Sequence, residues 1–150
     1  LGNTYHLSIG QGNLGLTPLQ VNAVTAMIAS GGKLCKPRVL KMEEGETGDC
    51  QDIDLKKETI NLISAGMREA CSLGGTAFPL FNFTPPVACK TGTAEFDDPR
   101  GRTHAWLTAF APVGNPEIVV TALVEAGGEG SRVAAPIVRK VLEEYFRDFH

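Results

Sequence analysis

A chain of 150 residues, 43% hydrophobic and 21% charged, is long enough for one domain or part of one and apolar enough to bury a core. A formal net charge of −3 with 14 scattered basic residues argues against a nucleic-acid surface. No apolar run approaches the roughly 20 residues that cross a bilayer, no signal-peptide pattern opens the sequence, and the start at Leu1 in a glycine-rich polar segment reads as a cut.

In chain order, the first predicted helix begins at Thr17-Pro18-Leu19-Gln20. Thr17 can cap it, Pro18 suits the first helical position, and Gln20 completes a capping box. Val21, Val24, Ala26, Met27 and Ile28 follow at helical spacing, and Gly31-Gly32 ends the run. Lys33 to Met42 has strand character broken by Pro37, which places it at an edge. Glu43 to Asp52 is acidic and predicts a solvated surface loop.

Asp54 is the expected cap of a second helix, with Leu55, Ile60, Ile63, Met67 and Ala70 on one face and Gly74-Gly75 at its end. Ala77 to Pro86 carries Phe78, Phe81 and Phe83 among three prolines, an irregular connection whose aromatics are expected to anchor the core. From Val87 the apolar period becomes two. Val87–Ala94, Ala105–Ala111 and Glu117–Glu125 are predicted strands, the last two made antiparallel by the turn Pro112-Val113-Gly114-Asn115-Pro116. A closing helix follows Gly127-Gly128-Glu129-Gly130, with Val133, Ile137, Val138, Val141, Leu142, Tyr145, Phe146 and Phe149 as its apolar stripe. Pro136 fits only within its first turn or so. Helices covering a largely antiparallel sheet make an α+β layer arrangement.

Cys35, Cys50, Cys71 and Cys89 show no C-x-x-C spacing, and His6, His104 and His150 lie far apart, so neither a metal site nor a cofactor is expected. Free buried thiols are the default reading. Cys35 and Cys50 are also placed to bridge the ends of a hairpin-like excursion. A reactive Cys89 thiol beside the Lys90 ammonium is a further option.

The stretch Lys90-Thr91-Gly92-Thr93-Ala94-Glu95 puts a cation, two hydroxyls and a glycine on one strand. Alternation assigns Lys90 and Gly92 to one face and Thr91 and Thr93 to the other. Glycine admits a close backbone approach. A phosphate loop is excluded, because that motif needs Gly directly before Lys and a helix directly after, whereas Cys89 precedes Lys90 and Gly92 and Pro99 follow.

Gly10-Gln11-Gly12, Thr17-Pro18-Leu19-Gln20, Ala29-Ser30-Gly31-Gly32 and Lys90 to Glu95 occur in an order that resembles the penicillin-binding transpeptidases. His104-Ala105-Trp106-Leu107 running to Phe110-Ala111-Pro112 is similar to the strand after the Lys-Thr-Gly triplet in class B members. Gly2-Asn3-Thr4-Tyr5 with Ser8-Ile9-Gly10-Gln11-Gly12, and the closing Glu125-Ala126-Gly127-Gly128 and Ala134-Ala135-Pro136-Ile137, resemble the elongation type, often called penicillin-binding protein 2.

The resemblance implies a β-lactamase/transpeptidase-like three-layer α/β/α fold, of which residues 1–150 are the C-terminal portion. It also implies serine acyl transfer on the D-Ala-D-Ala stem peptides of peptidoglycan, and β-lactam binding. Lys90 would supply positive potential, Thr91, Gly92 and Thr93 would hold the substrate, and the Thr93 backbone N–H would be an oxyanion-hole donor. A cell-wall elongation glycosyltransferase is the implied partner. The implied location is the extracytoplasmic face of the cell membrane, with an N-terminal anchoring helix outside this chain.

The literal S-x-x-K, Ser30-Gly31-Gly32-Lys33, falls at a predicted helix end, whereas a nucleophile and its lysine need a helix start. Serines 8, 30, 64, 72 and 131 all lack an Asn two residues on, so no S-x-N is present. The nucleophile-bearing part is therefore expected upstream. A non-catalytic penicillin-binding sensor or scaffold and a serine β-lactamase relative are the alternatives on the same fold.

Overall fold

A computed structural model describes residues 2–12, 14–43 and 45–147. The chain opens with a short helix absent from the sequence prediction, α1 (Gly2–Ser8), and continues into α2 (Pro18–Ala29). Thr17 caps α2 as expected: its side chain accepts from the Gln20 N–H, and the Gln20 side chain accepts from the Thr17 N–H at 2.8 Å. The strand foreseen over Lys33 to Met42 is only β1 (Lys33–Cys35). It pairs antiparallel with β2 (Cys50–Asp52), taken from the stretch expected to be all loop. Pro37 has no N–H to continue the ladder, and Cys35 lies opposite Cys50, to which it is disulfide-bonded.

The second predicted helix is α3 (Lys57–Ala70), and its cap is Lys56 rather than Asp54. The Ile53 N–H still bonds the Gly32 carbonyl at 2.8 Å, which holds the chain extended alongside β1 and delays the helix past Asp54. A single 3-10 turn, Phe78–Leu80, follows. It directs Leu80 into the core and leaves Phe78 55% exposed, against the expectation that Phe78 anchors the core; Phe81 and Phe83 are half-buried.

β3 (Ala88–Glu95), β4 (Thr103–Ala111) and β5 (Ile118–Val124) form an antiparallel sheet in that order. Lys90, Gly92 and Ala94 lie opposite Thr108, Trp106 and His104. Thr91 and Thr93 lie opposite Leu107 and Ala105, so the two sets occupy opposite faces, as alternation requires. On the Lys90 face, Thr25 of α2 bonds Thr108 at 2.8 Å, and Met67 of α3 packs on Ala88 and Phe110. On the other face, Val138, Leu142 and Phe146 of α4 (Ala134–Arg147) pack on Cys89, Leu107 and Ala109. Pro136 lies in the first turn of α4. Ile137 and Val141 of the predicted stripe are over 40% exposed, and Phe149 lies outside the described residues. The result is α2 and α3 over one face of a three-stranded sheet and α4 over the other.

The default expectation of free buried thiols is overturned, because all four cysteines are paired, and the alternative bridge between Cys35 and Cys50 is present. Cys71, at the end of α3, bonds Cys89 on β3, and both are buried. A reactive Cys89 thiol is thereby excluded. Met67 packs on one sheet face and Cys71 in the cluster on the other, so the end of α3 carries the chain around the outer edge of β3.

Gly130 lies just before α4 against the backbones of Gly92 and Trp106, where a Cβ would run into their backbone atoms. The close backbone approach is thus permitted by Gly130, whereas at Gly92, where it was expected, an added Cβ would meet the Trp106 side chain. Gly130→Ala is expected to destabilise the protein by about 1–3 kcal/mol, the usual range for overpacking. Urea unfolding of the variant would show it, and an unchanged midpoint would contradict that packing.

Candidate active site

β3 is the outer strand of its sheet, so the backbone groups it does not give to β4 face outward. The Thr93 carbonyl accepts a bond from Gln11 Nε2 at 3.1 Å, and the Thr91 carbonyl accepts one from Lys90 Nζ at 2.5 Å. Both carbonyls therefore lie on the outer edge. In an antiparallel strand the N–H and C=O of one residue point the same way, so the Thr93 N–H is presented outward too. Gly92 lies in the intervening register, opposite Trp106, and a Cβ on it would press on Trp106 Cβ at 3.1 Å.

Each predicted site residue is at this edge. Lys90 and Thr93 are exposed, and Thr91 and Gly92 are half-buried. Lys90 emerges beside a buried hydroxyl relay: Thr108 bonds both Thr25 and Thr121 at 2.8 Å, and Asn22 donates to Thr121 at 3.2 Å. These bonds satisfy polar groups that would otherwise be costly to bury, and they tie α2 to the strands under Lys90. On the opposite face the Thr91 hydroxyl donates to Thr76 Oγ1 at 3.0 Å. The lysine and the two threonines thus flank one free edge from both sides.

Two further residues reach this edge that the site prediction did not include. Gln11 sits in the Gly10-Gln11-Gly12 turn, with its own N–H bonded to the His6 carbonyl at 2.9 Å. Among the described residues its side chain makes the hydrogen bond that joins the α1 segment to the sheet. Its place in a quoted motif was a usable signal. Thr76 carried none.

The literal S-x-x-K does not form a nucleophile site. Ser30 is the C-cap of α2, and its hydroxyl bonds the Met27 and Lys33 carbonyls at 3.1 and 3.0 Å, while Lys33 opens β1.

The far end of the strand is held by the β3–β4 connection. The Arg102 guanidinium and the Arg102 and Arg100 N–H groups bond the Asp98 carboxylate, which holds its pKa at about 2, below the usual 3.8. A depressed carboxylate pKa contributes order above the ordinary value and loses it as pH falls through the lowered one. The connection is expected to loosen between about pH 4 and 2. An NMR titration of the Arg100 and Arg102 amides should give a midpoint near 2, abolished in Asp98→Asn, whereas a midpoint at 3.8 would contradict the clamp. Next to it, His104 stacks on Phe96 with ring centroids 4.1 Å apart and accepts the Ala126 N–H on Nδ1 at 3.0 Å.

The family model described as penicillin binding protein transpeptidase domain matches residues 2–143. Peptidoglycan D,D-transpeptidase MrdA of Haemophilus influenzae is 35% identical over 169 residues, covering 96% of this chain and 26% of that protein. Pseudomonas aeruginosa PBP2 in complex with WCK 5153 superposes with a TM-score of 0.85 at 34% identity, over 97% of this chain and 32% of that one. A structure describing the coordination of polymerization and crosslinking by a peptidoglycan synthase complex matches with a TM-score of 0.83 at 37% identity, over 96% of this chain and 26% of its own. The chain thus spans about a quarter of the length of the curated MrdA relative.

Proposed function

The chain belongs to the penicillin-binding protein transpeptidase family, and from that premise we propose that it is the substrate-holding, C-terminal part of a peptidoglycan D,D-transpeptidase domain. The observation that carries this reading is the free edge of β3, with Lys90 on one side, Thr91 and Thr93 on the other, and the Thr93 N–H directed outward.

A D-Ala-D-Ala stem peptide laid along that edge would have its terminal carboxylate held by the Thr91 and Thr93 hydroxyls in the positive potential of Lys90. Its scissile carbonyl oxygen would accept the Thr93 N–H. As a serine hydroxyl attacks that carbon, negative charge builds on the oxygen, and a donor already aimed there lowers the barrier. The terminal D-Ala leaves as the amine, and a second stem peptide's amine then attacks the acyl-enzyme to complete the cross-link. A β-lactam presents the same pair of groups, a carboxylate and a reactive carbonyl, and would occupy the same edge. The serine, its lysine and the S-x-N residues would come from a part of the protein outside this chain, since the Ser30–Lys33 pair has the wrong geometry.

Two disulfides support an oxidising compartment, in keeping with the extracytoplasmic face of the membrane and an anchoring helix outside this chain. The match to a structure that joins polymerization to crosslinking supports a cell-wall elongation glycosyltransferase as partner. A fluorescent penicillin is expected to label the full-length protein covalently, with unlabelled penicillin competing. Absence of a covalent adduct would overturn the reading.

A further inference from the structure

Thr76 lies outside the Lys90–Thr93 stretch, yet it is bonded to it. It sits in the 72–77 connection, which passes beside the outer edge of β3. That connection is fixed at several points: Gly75 N–H bonds the Ser72 carbonyl at 2.8 Å, Ala77 N–H bonds the Ala70 carbonyl at 2.9 Å, and Ala77 is fully buried. A Cβ on Gly75 would collide with the Glu69 and Ala70 backbones, so the turn has little room to shift. The Cys71–Cys89 bond ties the same segment to β3. The Thr76 side chain is therefore held at a set place beside Thr91, 3.0 Å from its hydroxyl oxygen.

A hydroxyl has one proton and two acceptor lone pairs. With the Thr91 proton committed to Thr76, Thr91 can only accept from a neighbour and offers nothing to an anion. Reversing the bond changes this. If Thr76 donates to Thr91, the Thr91 proton is released to a carboxylate, and the two aligned bonds polarise one another. In the free site only Thr91 is placed to donate, so reversal takes a small adjustment of the Thr76 side chain along with rotation of the two hydroxyls.

We propose that Thr76 is a positioning residue for the anionic end of the substrate, a partner that accepts from Thr91 in the free site and donates to it when a carboxylate binds. The ligand class is a peptide C-terminal carboxylate or the equivalent carboxylate of a β-lactam. The inference rests on the transpeptidase reading and adds to it a residue that sets affinity for the charged group rather than the rate of acyl transfer.

The test uses the full-length protein and two probes, benzylpenicillin and its uncharged methyl ester. Thr76→Val keeps the shape and removes the hydroxyl. It is expected to lower the second-order acylation rate of the acid by about 3- to 10-fold, the effect of one hydroxyl hydrogen bond. The loss should lie in the apparent dissociation constant, with the limiting acylation rate and the ester rate unchanged. Thr76→Ser should restore the acid rate. Equal losses for acid and ester, no loss for the acid, or no rescue by serine would overturn the role of Thr76. Failure of the unaltered protein to be acylated by either probe would overturn the transpeptidase reading, and the Thr76 proposal with it.

Discussion

Lys90→Ala in the full-length protein is expected to lower penicillin acylation by about 10–10²-fold, the loss typical of removing one charged partner of a bound carboxylate. Its melting temperature should stay unchanged. The two halves of this prediction have separate physical grounds. Lys90 is exposed, and its ammonium bonds only the neighbouring Thr91 carbonyl among the contacts described, so the fold draws little from it. Its position on the face shared with Gly92, on a strand that is the outer one of its sheet among the described residues, aims its charge at whatever binds along β3. Acylation kinetics and a thermal melt on the same sample check both halves. A large drop in melting temperature would make Lys90 a structural residue, and unchanged acylation would remove it from the site.

The second large effect concerns the Cys71–Cys89 bond. It closes a loop with a sequence separation of 18 residues, and loop-closure entropy for that length corresponds to about 3 kcal/mol. The double substitution Cys71→Ala, Cys89→Ala in the full-length protein is expected to lose about that much stability in denaturant unfolding. Cys89 immediately precedes Lys90, and Cys71 leads into the turn that carries Thr76. Loosening this bond therefore frees both sides of the β3 edge at once, and acylation should fall along with stability. Stability and acylation both matching the unaltered protein would contradict the anchoring role. Because both sulfurs are buried, reductant alone is expected to act slowly on the folded protein and quickly once denaturant is added.

What could be read from sequence follows the range of the interactions involved. The α2 start was legible because Thr17 and Gln20 are three positions apart and cap each other locally. The three long strands were legible from their period of two, and the sharing of faces by Lys90 with Gly92 and by Thr91 with Thr93 followed from it. The features missed are non-local. β2 exists because Gln51 lies opposite Leu34 across a long excursion, and an acidic composition gives no sign of that partner. Asp54 was displaced as a cap by a bond from Ile53 to Gly32. The Cys71–Cys89 pair depends on α3 rounding the outer edge of the sheet, which no spacing rule reveals. The same holds at the site, where Thr76 and Gln11 reach β3 across 15 and 82 positions.

The central claim is that this chain holds the substrate for a nucleophile located elsewhere in the protein. Digesting the penicillin-labelled full-length protein and locating the adduct by mass spectrometry tests it most directly. The adduct should fall on a serine outside these 150 residues. An adduct on Ser8, Ser30, Ser64, Ser72 or Ser131 would contradict the claim.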